Sequence, residues 1–364
     1  MKSVIISGGG TGGHIFPALA IAQVIRKHHP DCAIHFVGAE GRMEMQKVPE
    51  AGFPITGLPI AGLQRSLSLK NFLLPIKIWK SLRMAKALMR EKKPDIVIGV
   101  GGYASAPTLW AAQQLGIPTL IQEQNSYAGL TNKLLAKKAK CICVAYEGME
   151  SFFPKEKLVL TGNPVRPFLT QALPSISNAR HFFGLSENKK TILFIGGSLG
   201  ARTINHSVAE GLKSLLENDL QVIWQTGKGY SAQAKELCAA ETNVFTADFI
   251  REMDMAYAAA DIIVSRAGAL SVSELCIVGK AAILVPSPNV AEDHQTKNAL
   301  ALSDKAAAIL VKDSAANHAL IPAILTLAND VTQRESLAAH LSDLSIKDAD
   351  ERIYQCILSV IKPS

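Results

Sequence analysis

Short apolar runs recur along the chain. Each is followed by glycine or small residues and then by a stretch with helical apolar spacing. Residues 4–6, 34–37, 96–98, 119–121, 142–144, 192–195, 222–224, 262–264 and 282–285 are such runs. Within them apolar residues are continuous rather than alternating, which predicts strands buried on both faces. Strands alternating with helices predict an α/β protein whose parallel sheets carry helices on both sides. The two halves echo each other: Val4-Ile-Ile-Ser precedes Gly8-Gly-Gly-Thr-Gly-Gly13, and Ile192-Leu-Phe-Ile precedes Gly196-Gly-Ser-Leu-Gly200. Each reads as the strand, glycine loop and helix that open a Rossmann-like domain. Two such domains facing each other across a cleft are expected, the first over 1–162 and the second over 163–344. Thr161-Gly-Asn-Pro-Val-Arg-Pro167 reads as the linker. The segment 345–364 has Ile353, Ile357, Leu358 and Ile361 at helical spacing and is expected to pack back across the junction onto the first domain.

Composition sharpens this picture. The chain has 364 residues, 48% hydrophobic and 19% charged, which suits two to three folded domains and excludes a disordered chain or a disulfide scaffold. The net charge is +7, but 20 basic and 10 acidic residues lie in 1–162 against 18 and 21 in 163–364. All of the basic excess is in the first half. Six cysteines include no Cys-x-x-Cys pair and sit among apolar neighbours, as in Cys141-Ile-Cys143-Val, so they read as reduced, buried thiols. The first apolar stretch is too short for a signal-peptide core, and nothing approaches about 18 uninterrupted apolar residues. The expectation is a cytosolic protein, or one resting on a membrane without crossing it.

The glycine loops carry the candidate chemistry. Gly8-Gly-Gly-Thr-Gly-Gly13 follows a strand and opens a helix, where backbone N–H groups can hold an anion. His14 follows at once, in a position that favours a neutral, proton-accepting imidazole. Gly101-Gly-Tyr-Ala-Ser-Ala-Pro107 and Gly196-Gly-Ser-Leu-Gly-Ala201 repeat the arrangement, and a ligand in each half would explain loops in both. No Gly-x-x-x-x-Gly-Lys-Ser/Thr loop is present, against a P-loop hydrolase. After the strand at 262–264, Ser265-Arg-Ala-Gly-Ala-Leu-Ser-Val-Ser-Glu274 places a carboxylate where it could accept two ribose hydroxyls; an ordinary surface glutamate is the plainer reading. Asp348-Ala-Asp350 reads as the acidic start of the last helix rather than a metal motif.

Residues 64–93 hold nine basic residues and one acid, interleaved with Leu69, Phe72, Leu73, Leu74, Ile76, Ile78, Trp79 and Leu82. This composition suits a helix lying on an anionic membrane, with Leu73, Leu74, Ile76 and Trp79 downward and Lys77, Lys80 and Arg83 at the headgroups. A solvated basic helix face is the alternative. Nucleic acid is not expected, because no stacking platform accompanies the charge.

Together the motifs resemble those of the bacterial MurG family of N-acetylglucosaminyltransferases. The match is carried by Gly9-Gly-Thr-Gly-Gly-His-Ile-Phe-Pro17, Gly101–Pro107, Glu123-Gln-Asn-Ser-Tyr-Ala-Gly-Leu-Thr-Asn132, Gly162-Asn-Pro-Val-Arg166, Gly196–Ala201, Ser265–Glu274 and His294-Gln295, in order over nearly the whole chain. The resemblance implies a GT-B glycosyltransferase fold with UDP-N-acetylglucosamine (UDP-GlcNAc) as donor and the undecaprenyl-pyrophosphoryl-MurNAc-pentapeptide, lipid I, as acceptor. It implies donor contacts at Thr11, Gly12, Gly13, Asn125, Arg166, Ser198, Ile250, Ala269, Leu270, Ser271, Val272, Ser273, Glu274 and Gln295. Glu274 would hold the ribose, the backbone near Ile250 the uracil, and Arg166 and Ser198 the diphosphate. Ala281 stands where the family usually has proline.

The implied reaction forms the β-1,4 linkage of lipid II from an α-linked donor, so the configuration inverts. Inversion needs a base for the acceptor hydroxyl and a sink for the departing diphosphate. His14 is the first choice of base, with Glu123 and Tyr103 as alternatives. No metal or other cofactor is expected. The implied location is the cytoplasmic face of the bacterial inner membrane, with other cell-wall synthesis proteins as further partners. Two rival readings stay open: a GT-B-like UDP-GlcNAc epimerase, and a non-catalytic lipid-binding module.

Overall fold

A computed structural model describes residues 1–60, 74–197 and 199–361. The chain divides into two compact units, one of Met1–Val165 joined by the C-terminal segment from Asp348, the other of Arg166–Lys347.

Among the described residues, the first unit holds a seven-stranded parallel sheet. Its strands are β1 Ser3–Ser7, β2 Ala33–Ala39, β3 Ile55–Leu58, β4 Ile96–Gly99, β5 Thr119–Glu123, β6 Cys141–Val144 and β7 Leu158–Leu160, in the order β3-β2-β1-β4-β5-β6-β7. Successive side chains of β1 leave the sheet on opposite sides. Val4 and Ile6 enter one fully buried core with Ile96 and Ile98, and Ile5 enters the other with Val97. That double burial is why the strand sequences are continuously apolar.

The second unit repeats the plan with β8 Lys190–Ile195, β9 Leu220–Gln225, β10 Val244–Ala247, β11 Ile262–Ser265, β12 Ala281–Leu284 and β13 Ile309–Leu310, in the order β10-β9-β8-β11-β12-β13. Eight of the nine apolar runs read from the sequence lie wholly on strands, the ninth runs one residue past β12, and two such α/β units make up the described chain.

The last helix, Ala349–Ile361, belongs to the first unit. Asp350 and Glu351 occupy its first turn, where carboxylates complement the helix dipole. Ile353, Tyr354, Cys356 and Ile357 enter the same core as Val4 and Ile6. Tyr354 stacks on His28 at 4.3 Å between ring centroids, and Glu351 accepts from Lys27 at 2.8 Å. The segment read as a linker is itself packed. Asn163 is buried, donates to the Gln124 carbonyl and accepts from Gln122, both at 2.9 Å, so it closes the first unit.

Candidate active site

Each sheet reverses its strand order beside its first strand, between β1 and β4 in one unit and between β8 and β11 in the other. At such a reversal the loops leaving the strands diverge and open a crevice, the usual ligand site of an α/β sheet. The glycine motifs occupy these loops.

In the first unit the two loops touch backbone to backbone. A Cβ on Gly102, whose φ is +85°, would lie 2.3 Å from the Gly9 carbonyl oxygen, so no larger residue fits there. Glu44, in the helix Glu44–Glu50, reaches under the first loop and is fully buried. Its Oε2 accepts from the Gly10 N–H at 2.9 Å and its Oε1 from the Ala39 N–H at 3.0 Å. These charge-assisted bonds clamp the loop to the end of β2. His14 lies in the first turn of the helix Gly12–His28. Its Nδ1 is 3.1 Å from the Gly9 carbonyl oxygen and 3.3 Å from Thr11 Oγ1. A carbonyl can only accept, so the neutral ring carries its proton on Nδ1 and its basic nitrogen is Nε2. Ser105 joins the loops by donating to the Ser7 and Gly101 carbonyls at 2.7 and 2.9 Å.

In the second unit Gln225, at the end of β9, donates to the Gly197 carbonyl at 3.1 Å and accepts from the Ile250 N–H at 3.0 Å. One buried amide thus ties the third glycine loop to the segment at Ile250. Beyond β11, the helix Ala269–Val278 carries Glu274 inward. Glu274 accepts from Arg166 Nε at 2.7 Å and Nη2 at 2.5 Å, and from the Tyr257 hydroxyl at 2.9 Å. Burial opposes the charge on Arg166, but hydrogen bonding and attraction from Glu274 outweigh it and hold the guanidinium above its usual value. Burial, and then the Glu274 charge, push the Tyr257 hydroxyl well up, so it stays a neutral donor.

The glycosyltransferase family 28 N-terminal domain matches residues 4–144, and the family 28 C-terminal domain matches residues 191–353. A protein of Parabacteroides distasonis named UDP-N-acetylglucosamine–N-acetylmuramyl-(pentapeptide) pyrophosphoryl-undecaprenol N-acetylglucosamine transferase is 55% identical over 98% of both chains. The crystal structure of Acinetobacter baumannii MurG is 32% identical, with a TM-score of 0.81 over 99% of this chain and 100% of that one. This chain belongs to the MurG family. A UDP-GlcNAc 2-epimerase from Neisseria meningitidis superposes with a TM-score of 0.67 over 99% of this chain and 100% of its own, at 16% identity. That likeness shows the GT-B fold alone.

The structure gives the residues expected from MurG resemblance distinct settings. Thr11 is the extended residue before the helix whose first turn holds Gly12, Gly13 and His14. Along the helix from Ala269, Val272 and Glu274 are buried and Leu270, Ser271 and Ser273 half-buried. Gln295 accepts from the Ser287 N–H at 2.8 Å. Tyr103 projects from the second glycine loop and is exposed. Ser198 and Leu73 lie outside the described residues, as do Leu69, Lys70 and Phe72.

Two of the candidates are engaged by partners of their own. Glu123 is sealed from solvent, and its carboxylate accepts from the Asn125 N–H and side chain, the Gly129 N–H and the Asn132 side chain at 2.8–3.3 Å. Four donors around two oxygens make it the organiser of its loop. Arg166, expected at the diphosphate, pairs with Glu274, whose buried carboxylate requires a compensating donor. Glu44 and Gln225 are the residues the motifs did not reveal. Glu44 reaches Gly10, and Gln225 reaches Gly197 and Ile250, backbone groups far away in sequence that only the strand order brings near.

The helix Leu74–Lys92 buries Ser81, Ala85, Leu88 and Met89. Its other side exposes Ile76 and Trp79, each more than 60% accessible, beside Lys80 and Arg83; Leu74 and Lys77 are half-buried. The Arg83 guanidinium lies 5.6 Å from the Trp79 ring centroid. Positions 76, 79, 80 and 83 share one helical face. Among the described residues no helix is long and apolar enough to cross a membrane.

Proposed function

We infer that this chain transfers N-acetylglucosamine from UDP-GlcNAc to the C4 hydroxyl of the muramyl sugar of lipid I. It forms the β-1,4 linkage of lipid II with inversion. The observation that carries this reading is the 55% identity, over 98% of both chains, to a relative named for that transfer. The second unit is the donor domain. Ile250 and Gln225 border the uracil site, Glu274 holds the ribose, Ser198 and the third glycine loop receive the diphosphate, and Gln295 completes the pocket. The likeness to the MurG family assigns further donor contacts to Thr11, Gly12, Gly13 and Asn125. Arg166 acts through Glu274, whose carboxylate it orients.

The first unit handles the acceptor. His14 Nε2 takes the C4 hydroxyl proton as the anomeric carbon–oxygen bond to UDP breaks, and Tyr103 lies on the acceptor side. Charge on the departing diphosphate is met by backbone N–H groups at the start of the helix Arg202–Glu217. No cofactor is assigned to the reaction. The exposed face with Ile76, Trp79, Lys80 and Arg83 rests on the cytoplasmic leaflet and brings the enzyme to an acceptor that stays in the bilayer. Other cell-wall synthesis proteins are expected partners there; nucleic acid is not.

The test is UDP release with and without a short-chain lipid I analogue. Release that depends on the analogue supports transfer. Conversion of the donor alone to an epimer would support the epimerase reading instead.

A further inference from the structure

Cys141 and Cys143 lie two residues apart on β6 and so leave the sheet on the same side. Cys356, on the returning helix Ala349–Ile361, meets them there, and the three Sγ atoms all lie within 4.8 Å of one another. All three cysteines are buried, in a core shared with Leu120, Ile353 and Ile357. A three-coordinate ion with metal–thiolate bonds of about 2.3 Å sets its sulfurs about 4.0 Å apart. The thiol triangle therefore needs to close by less than about 1 Å to meet that geometry. Among the described residues no histidine, aspartate or glutamate joins the group as a fourth ligand. Zinc prefers four ligands and hard cations prefer oxygen, whereas soft ions such as Cu(I) accept an all-thiolate set.

We propose that Cys141, Cys143 and Cys356 form a binding site for a soft, thiophilic metal ion of low coordination number, of the Cu(I) type. The site lies between β6 and the last helix, in the core of the first unit, and is independent of the transferase reading. On binding, the thiols lose protons and three metal–sulfur bonds form, with no redox change. The ion would then tie the last helix to β6, two elements that otherwise meet only through packing of apolar side chains.

The test uses the full-length, fully reduced protein titrated anaerobically with Cu(I), then desalted against a moderate chelator. One Cu(I) per chain should be retained, with a thiolate-to-copper charge-transfer band and a higher melting temperature. Cys356→Ala and Cys141→Ala should each lower affinity roughly tenfold or more, while Cys238→Ala leaves it unchanged. X-ray absorption of the loaded wild type should show three sulfur neighbours, a readout that does not depend on any variant folding. No retained copper, retention unaffected by Cys356→Ala, or nitrogen and oxygen neighbours at the metal would overturn the proposal. The trio would then be thiols packed as small apolar side chains.

Discussion

Arg166 grips Glu274 with two hydrogen bonds, from Nε at 2.7 Å and from Nη2 at 2.5 Å, and Tyr257 adds a third donor to the same carboxylate. A carboxylate offers about four acceptor positions, so three of them are already engaged. If Glu274 is to take both hydroxyls of a ribose, Arg166 or Tyr257 must release at least one bond.

That competition makes the two side chains a coupled unit in donor binding. Glu274→Ala should raise the donor KM by about 10- to 100-fold, with a smaller change in kcat. Arg166→Ala strands a mostly buried carboxylate. Because the guanidinium itself is 41% exposed, the expected loss of stability is about 1–3 kcal/mol, below the full cost of breaking a buried pair. Calorimetry of donor binding to both single variants and the double variant should give non-additive losses. Strictly additive losses would remove the coupling, and an unchanged affinity in Glu274→Ala would remove Glu274 from the donor site.

His14 and Glu44 act on the first glycine loop in different ways. His14→Ala should cut kcat on the order of 10²-fold or more and leave donor affinity nearly intact, as expected for a lost base. Glu44→Ala removes the clamp on Gly10 and Ala39 and leaves their N–H groups without it. It should cost about 1–3 kcal/mol in urea unfolding and lower kcat through a misplaced loop. Glu44→Gln retains one acceptor oxygen and should recover part of both losses. Normal turnover by His14→Ala would move the base elsewhere.

Lys280 supplies a pH signature of the second unit. Its ammonium donates to the Ala258 and Ala260 carbonyls at 2.7 and 2.5 Å, and burial pulls its pKa down to about 8 from the usual 10.5. The folded state therefore binds fewer protons than the unfolded state between those values, and stability rises with pH across that window. Below pH 8 the penalty is present in full; above 10.5 it is gone. Relative to Lys280→Met, the wild type should gain on the order of 2–3 kcal/mol between pH 8 and 10.5. Urea melts of both proteins across this range would show it, and a constant difference would contradict it.

Much of this architecture is legible in the sequence because burial on both faces writes itself as apolar runs. The strands that escape such a reading are β3, β7, β10 and β13. β3 is broken by Gly57, β7 exposes Val159 and Leu160 at the sheet edge, all of β10 is only half-buried, and β13 has two residues. The glycine loops were readable because tight turns restrict residue type. Glu44, Gln225 and Cys356 were not, since nothing near them in the chain marks their partners. The pairing of Arg166 with Glu274 was likewise invisible: each had been matched to a ligand, and only the fold shows that they meet.

The basic, apolar helix face should show itself in sedimentation with lipid vesicles. Each lysine near an anionic surface contributes about 1 kcal/mol, comparable to burying part of a large apolar side chain. Binding should be strong to anionic vesicles, weaken as salt rises and nearly vanish on neutral ones. Replacing Lys77, Lys80 and Arg83 by Glu should release the protein while sparing turnover of a soluble, short-chain acceptor. Equal sedimentation by that variant would leave the stretch a solvated helix face.

The central claim is inverting transfer to lipid I, and product analysis tests it most directly. The enzyme would be incubated with UDP-GlcNAc and a short-chain lipid I analogue, and the product examined by mass spectrometry and proton NMR. Inverting transfer should add one N-acetylhexosamine per UDP released, joined to the muramyl C4 oxygen, with the large anomeric coupling of a β linkage. An α-linked product, a linkage to another position, or an epimerised donor with no disaccharide would contradict it.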